Sequence, residues 1–351
     1  MTSSTRKPSA RKTVAPGRDE TRGPLLEIED LVVDFATDEG AVRAVDGAGF
    51  AVAPGETLGV VGESGSGKSV TAMSALGLIK PPGRVVSGRV VFDGLDLRTL
   101  PARELRRLRG GRIAMIFQDP MTALNPVMAI GAQLTEALRL HRPGLSRSGA
   151  RDRAAELLTL VGVPGARRRL KQYPHEFSGG MRQRAMIAMA MANDPDLLIA
   201  DEPTTALDVT VQAQVLDLLR LTRRETGAAT VLITHDLGVV AELADRVVVM
   251  YAGRVIEHGP VAEIFGAPRH PYTRGLLESL PRLDDDAEEL TPIPGTPPAP
   301  GEAAEGCPFA PRCAMVRDRC LTERPELVQT GPGRASACHF HHELAEEGND
   351  D

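Results

Sequence analysis

The run Gly62-Glu63-Ser64-Gly65-Ser66-Gly67-Lys68-Ser69 has the spacing G-x-x-x-x-G-K-[ST] of a loop that cradles phosphate. Its glycines let backbone N–H groups turn inward towards phosphate oxygens. A helix opening directly after it adds the positive end of its dipole. Lys68 is placed to reach the β- and γ-phosphates of a nucleotide, and the Ser69 hydroxyl to ligate Mg²⁺. A second chemical group closes the run Asp196-Leu197-Leu198-Ile199-Ala200-Asp201-Glu202, an apolar strand ending in two carboxylates. Asp201 would hold Mg²⁺ through its water shell. Glu202, one residue on, can polarise an attacking water, which separates a hydrolase from a mere binder.

A serine and two glycines open a further helix in Phe177-Ser178-Gly179-Gly180-Met181-Arg182-Gln183-Arg184. This is a second anion-binding helix start. Two such devices far apart in one chain imply one ATP bound between two subunits. With these segments the chain resembles an ABC transporter ATPase subunit over about residues 26–265. Ser178-Gly179-Gly180 matches the core of that family's signature motif, with Phe177 where many members have leucine. The resemblance implies ATP and Mg²⁺ as ligands and assigns roles by position. Gln118 is the Q-loop glutamine, a ligand of Mg²⁺ with Ser69 and Asp201, linking ATP to a helical insertion. Ala206-Leu207-Asp208 is the D-loop. His235, in Ile233-Thr234-His235-Asp236, is the switch histidine that contacts the γ-phosphate. Ser178, Gly179, Gly180 and Asp208 would serve the partner's nucleotide. Phe35 is the candidate to stack on adenine, with a core phenylalanine as the alternative.

These groups need strands that end together. Leu26–Ile28, Leu31–Phe35, Phe50–Val52, Arg89–Phe92, Ile113–Phe117, Leu197–Ala200 and Thr230–Ile233 read as strands, and Arg246–Met250 and Arg254–Glu257 as a pair turning at Ala252-Gly253. Between them the period turns helical. Ile130, Leu134, Ala137 and Leu138 share one face; Ala155, Leu158 and Val161 share another, with Gly162 as a stop. The expected fold is α/β: a P-loop NTPase (RecA-like) core over 25–265, with an antiparallel β-subdomain and a helical insertion at about 126–184. The methionines Met181, Met186, Met189 and Met191 read as helix core, and the basic run Arg103–Arg112 as a solvated face.

The 351 residues carry a net charge of −6, so no whole-chain basic signature points to nucleic acid. No apolar run approaches the roughly 18 residues of a membrane span. Residues 1–24 read as a basic tail without the apolar segment of a secretory signal, and 346–351 as an acidic tail. The chain is therefore expected at the cytoplasmic face of a membrane, held there through partners.

Met121-Thr122-Ala123-Leu124-Asn125-Pro126 and a C-terminal extension at 266–345 narrow the resemblance to the dipeptide and oligopeptide importer subfamily, first-type ATPase. It implies a second, non-identical ATPase subunit, two permease subunits and an extracellular or periplasmic binding protein. Nickel importers share much of this extension and are the alternative. An exporter ATPase would not carry it, and a soluble ABC ATPase of DNA repair or translation would show long coiled-coil insertions or two cassettes. Pro281 to Gly306 reads as a linker. The four cysteines, Cys307, Cys313, Cys320 and Cys338, are spaced C-x₅-C-x₆-C-x₁₇-C. In a reducing compartment such thiols suit Zn²⁺ or an iron–sulfur cluster. The absence of tight C-x₂₋₄-C pairs favours a 4Fe–4S cluster over zinc, reduced cysteines being the remaining reading. Pro308, Pro311 and the short segments between the cysteines suggest a loop-rich wrap without a core of its own, and a cluster there, far in sequence from the ATP residues, is expected to be structural or a docking aid.

Overall fold

The computed structural model describes residues 23–205, 209–279, 292–299, 301 and 305–344. The two charged tails, the D-loop Ala206-Leu207-Asp208 and most of the acidic half of the linker lie outside them.

Two sheets form the frame. The first is antiparallel, in the order β2-β1-β4-β5, from β1 (Leu26–Thr37), β2 (Gly40–Val52), β4 (Gly83–Phe92) and β5 (Leu95–Asp96). The second contains β3 (Thr57–Val61), β6 (Ile113–Ile116), β7 (Leu197–Asp201), β8 (Ala229–Ile233) and β9 (Arg246–Tyr251), running parallel in the order β6-β7-β8-β3-β9. Every residue of β3, β7 and β8 is buried, as expected of continuous apolar runs covered on both faces. Along β7 the two faces alternate. Leu197 and Ile199 join the core beneath the antiparallel sheet, and Leu198 and Ala200 join the core beneath the helical insertion.

The two sequence segments at Leu26–Ile28 and Leu31–Phe35 are one strand. Its pairing with β2 shifts register between Ile28 and Leu31, and Asp30 there has φ +46°. That bulge is what split the alternation into two. The reach of β2 back to Gly40 was missed because its outer half, with Ala41 and Val42 and then Ala44 and Val45, does not alternate.

The insertion between β6 and β7 holds helices at Ile130–His141, Arg147–Leu160 and Gly179–Met191. Ile130, Leu134 and Leu138 are buried at four-residue spacing. Ser146 caps the second helix by accepting the Gly149 N–H at 3.1 Å. The third helix runs seven residues past the expected boundary at 184, to Met191, because Ala185 to Ala188 and Met191 pack directly against the sheet. The basic run forms a helix, Ala102–Leu108, with no buried residue. Arg109 departs from the solvated face by donating to the Leu76 and Gly77 carbonyls, and Arg112 by bridging Asp93 and Asp196.

The extension is joined to the core sheet. β10 (Arg254–Pro260) pairs antiparallel with β9 and with β12 (Arg334–Ser336), and β11 (Val328–Gly331) lies outside β12. Tyr272, on the Pro271–Glu278 helix, and Phe309 pack on Val61, Val249 and Tyr251. The extension therefore borrows its core from the cassette.

His270 begins this arrangement. It is buried, and its Nδ1 accepts the Tyr272 N–H at 3.1 Å, capping the Pro271–Glu278 helix. Burial pushes its imidazole down to about 3. The folded chain thus keeps it neutral where an unfolded imidazole takes a proton, below about pH 6.5. This contribution is unperturbed above that pH and costs stability as pH falls, at up to about 1.4 kcal/mol per pH unit. His270→Asn, which retains a capping oxygen, should flatten the loss of stability between about pH 6.5 and 5 in urea unfolding. An unchanged slope would exclude His270 as its source.

Candidate active site

β3, β6, β7 and β8 point the same way, so the segments after them open at one edge, where α/β sheets bind ligands. After β3 comes the phosphate loop, then the Lys68–Ala75 helix with Gly67 at its N-cap. Two glycines are obligatory there. Gly62 has φ +148°, and a Cβ on it would lie 2.2 Å from the Met250 carbonyl oxygen. Gly67 has φ +96°, and its Cβ would lie 2.7 Å from the Ala44 carbonyl oxygen.

Lys68 is buried, and its Nζ donates to the carbonyls of Gly62 and Glu63 at 2.7 and 2.8 Å. Burial holds its ammonium below the usual lysine range, while Glu202, Asp201 and Glu63 oppose that shift. The Ser69 hydroxyl donates to Asp201 Oδ1 at 2.8 Å. Burial raises the Asp201 carboxyl, the Ser69 hydrogen bond opposes the rise, and Glu202 adds to it. A hydroxyl and a carboxylate side by side are a hard oxygen pair suited to Mg²⁺.

Glu202 follows β7 with φ +45°, a conformation that L side chains rarely adopt. Its Oε2 gathers three groups. Gln118 Nε2 and Thr205 Oγ1 donate to it, each at 2.9 Å, and His235 Nδ1 lies 3.8 Å away. Gln118 and His235 are exposed, so the carboxylate faces outward through polar neighbours. The structure brings Gln118 to Glu202 and gives it no hydrogen bond to Ser69 or Asp201. Thr205 was not anticipated; a hydroxyl three residues after the second carboxylate is its only sequence signal.

Ser178 and Gly179 are exposed at the start of the Gly179–Met191 helix, where Ser178 accepts the Met181 N–H at 3.3 Å. Among the described residues no hydrogen bond joins residues 178–180 to the phosphate loop. Gln183, on the same helix, donates to the Pro203 carbonyl at 2.7 Å, tying that helix to the strand end at Glu202. Phe35 is half-buried, with its ring beside Gly83 and packed against the core beneath the antiparallel sheet. Asp34, on the other face of β1, lines a cavity of about 320 Å³ beside Gly65, with Arg43, Ala44, Pro298 and Ala299. Part of the expected linker therefore walls the loop.

Cys307, Cys313, Cys320 and Cys338 are free and line one apolar cavity with Phe309, Met315 and Phe340. Burial pushes the Cys307 and Cys313 thiols up, and that of Cys338 up to about 12. Among the described residues no group of three or more His, Cys, Asp or Glu side chains is placed to hold a metal ion. Though far in sequence from the ATP residues, this segment comes beside them in space. Arg312, next to Cys313, forms an ion pair with Glu63 of the phosphate loop at 2.6 Å, across 249 residues of sequence. Sequence distance hid a contact made by the sheet, since β10 brings the chain back beside β9, which flanks β3.

Residues 45–205 match the family model described as ABC transporter, and residues 256–320 match that described as oligopeptide/dipeptide transporter, C-terminal region. A putative peptide import ATP-binding protein of Brucella abortus is 55% identical over 315 residues, spanning 90% of this chain and 94% of its own. The oligopeptide transport ATP-binding protein OppD of Salmonella typhimurium is 53% identical over 314 residues, spanning 90% of this chain and 93% of its own. A solved dimeric ATP-binding cassette in a post-hydrolysis state, bound to ADP and Pi, matches with a TM-score of 0.61 at 27% identity, covering 67% of this chain and 98% of that chain. Phosphate loop, paired carboxylates, glutamine, histidine and signature helix thus occur together on a chain with these relatives, and the chain belongs to the ABC transporter ATPases, in the branch that carries the oligopeptide/dipeptide transporter C-terminal region.

Proposed function

We propose that this chain is the ATP-hydrolysing subunit that energises uptake of di- or oligopeptides through a membrane importer. The observation that carries this reading is the gathering of Lys68, the Ser69–Asp201 pair and Glu202 with Gln118 and His235 at one sheet edge. The named relatives, peptide import and oligopeptide transport ATP-binding proteins, support the peptide cargo. The backbone of the phosphate loop and Lys68 hold the phosphates. Mg²⁺ on the Ser69 hydroxyl and the Asp201 carboxylate would neutralise charge on the transferring phosphoryl group. Glu202 orients the attacking water and draws its proton, and His235 reaches the γ-phosphate from the next strand. Ser178-Gly179-Gly180, exposed on a separate helix, closes over the nucleotide of a second, similar ATPase, whose own signature closes over Lys68. Asp208 is assigned to the same shared surface.

ATP then acts as the tie between two subunits, and its differential affinity for the closed pair is what can move a permease. The helical insertion, reached through Gln118, is the surface for the two permease subunits, which hold the chain at the cytoplasmic face; a binding protein outside supplies the peptide. No helix among the described residues is long and apolar enough to cross a membrane. The four thiols around one apolar cavity are read as ligands of a 4Fe–4S cluster. Soft donors gathered around one apolar cavity support that reading.

In the assembled transporter Glu202→Gln should retain ATP binding while turnover falls about 10²- to 10⁴-fold, the usual contribution of a positioned base. Turnover within a few-fold of wild type would remove Glu202 from that role.

The isolated chain should hydrolyse ATP slowly and the complete complex much faster. Ser178→Arg should stop hydrolysis at the site whose lysine the partner provides, and leave nucleotide binding by the isolated chain intact. Loss of binding by the isolated chain would place Ser178 in its own site and end the shared-site reading.

Protein purified without oxygen should be brown and contain iron and acid-labile sulfide in equal amounts. Stoichiometric zinc, or four free thiols with no metal, would overturn the cluster and leave the ATPase reading untouched.

A further inference from the structure

Glu63 occupies the first variable position of the phosphate loop, where the motif asks nothing of its side chain. Here all three of its polar groups are engaged. Its carboxylate takes both arms of the Arg312 guanidinium, Nη1 to Oε2 at 2.6 Å and Nη2 to Oε1 at 3.0 Å. Its N–H donates to the Tyr272 hydroxyl at 2.8 Å. Its carbonyl accepts from Lys68 Nζ at 2.8 Å and from the Ser66 N–H at 3.2 Å. Two of these partners, Arg312 and Tyr272, come from the C-terminal extension, and one is the lysine that meets phosphate.

Arg312 is itself fixed. Its side chain is 4% exposed, its Nε donates to the Pro294 carbonyl at 2.9 Å, and its guanidinium stands 5.9 Å from the ring centres of Tyr251 and Phe309. Those two rings and Tyr272 pack with centroids 4.6 to 5.4 Å apart. The two-pronged fork, with its arginine end buried, sets direction as well as attraction, which an ammonium could not match.

We propose that Arg312 is a positioning residue for the phosphate loop, so that the C-terminal extension forms part of the ATP-binding machinery. This rests on the ATP reading given above. Arg312 and Tyr272 grip Glu63 by side chain and backbone, and Glu63 passes that constraint to Lys68 through its carbonyl. The Ala310–Arg312 turn is bounded by Cys307 and Cys313, so the thiol cavity and the phosphate loop share one short segment.

The test uses the full chain in its complex, with Arg312→Gln, Arg312→Lys, Glu63→Gln and the Arg312→Gln/Glu63→Gln double variant. Binding of a fluorescent ATP analogue and the KM and kcat for ATP are measured. Arg312→Gln should raise the KM for ATP about tenfold, the scale of one lost charge-assisted hydrogen bond, and change kcat less. Arg312→Lys should fall between it and wild type. The double variant should be no worse than the poorer single, because both remove one interaction. A KM within twofold of wild type in Arg312→Gln, or additive losses in the double variant, would overturn the proposal. Should Arg312→Gln fail to fold, Tyr272→Phe removes only the acceptor of the Glu63 N–H, and the same KM readout decides. Lys68→Ala separates the two levels: if that variant binds ATP normally, the ATP reading itself fails, whatever Arg312 does.

Discussion

The phosphate loop keeps its shape because backbone meets backbone on both of its flanks. Gly62 lies against the Met250 carbonyl of β9 and Gly67 against the Ala44 carbonyl of β2, too close for any side chain. The Gly253 N–H donates to the Ser66 carbonyl at 3.0 Å, and the Gly253 carbonyl accepts the Asp46 N–H at 2.9 Å. One turn between β9 and β10 thereby ties the parallel sheet, the loop and the antiparallel sheet together. β9 must flank β3, and β2 must fold down over the loop, before the loop can exist in this form. The helical insertion is joined differently. It reaches the site through side-chain hydrogen bonds, Gln118 to Glu202 and Gln183 to the Pro203 carbonyl. Those bonds can change partners without breaking a strand ladder.

Charge completes what the backbone begins. Burial disfavours the charged forms of Lys68 and Asp201, and each offsets part of that cost for the other, leaving both in need of further opposite charge. Phosphate answers the first need and a divalent cation the second. Glu202 adds backbone strain of order 1–3 kcal/mol at its positive φ, held by the Ile233 carbonyl that accepts its N–H at 2.9 Å. Stored strain in the backbone that carries this carboxylate fixes where it points.

Legibility in the sequence followed the range of the forces involved. The phosphate loop, β7 with its two carboxylates, and the capped signature helix are local patterns, and each lies where its residue types place it. The spread of β2, the bulge at Asp30 and the reach of the third insertion helix to Met191 depend on neighbours outside any local window. Phe35 was ambiguous for the same reason, since alternation alone does not say which face of β1 meets the core. Arg312 and Tyr272 were invisible as site residues because their partner, Glu63, is brought to them only by the pairing of β10 with β9. The convergence of the four cysteines was anticipated by their spacing, while their closeness to the phosphate loop was not.

The way β10 is shared bears on modularity. The solved cassette that matches this chain covers 67% of it, which invites the view that the remainder is an appendage. In this protein β12 seals the open side of β10, and Tyr272 and Phe309 roof the rings and branched side chains of Tyr251, Val249 and Val61. A chain cut after the cassette would bare a strand edge beside an apolar surface, the combination that invites aggregation. Among the described residues β10 thus belongs to both, pairing with β9 of the cassette on one side and with β12 of the extension on the other.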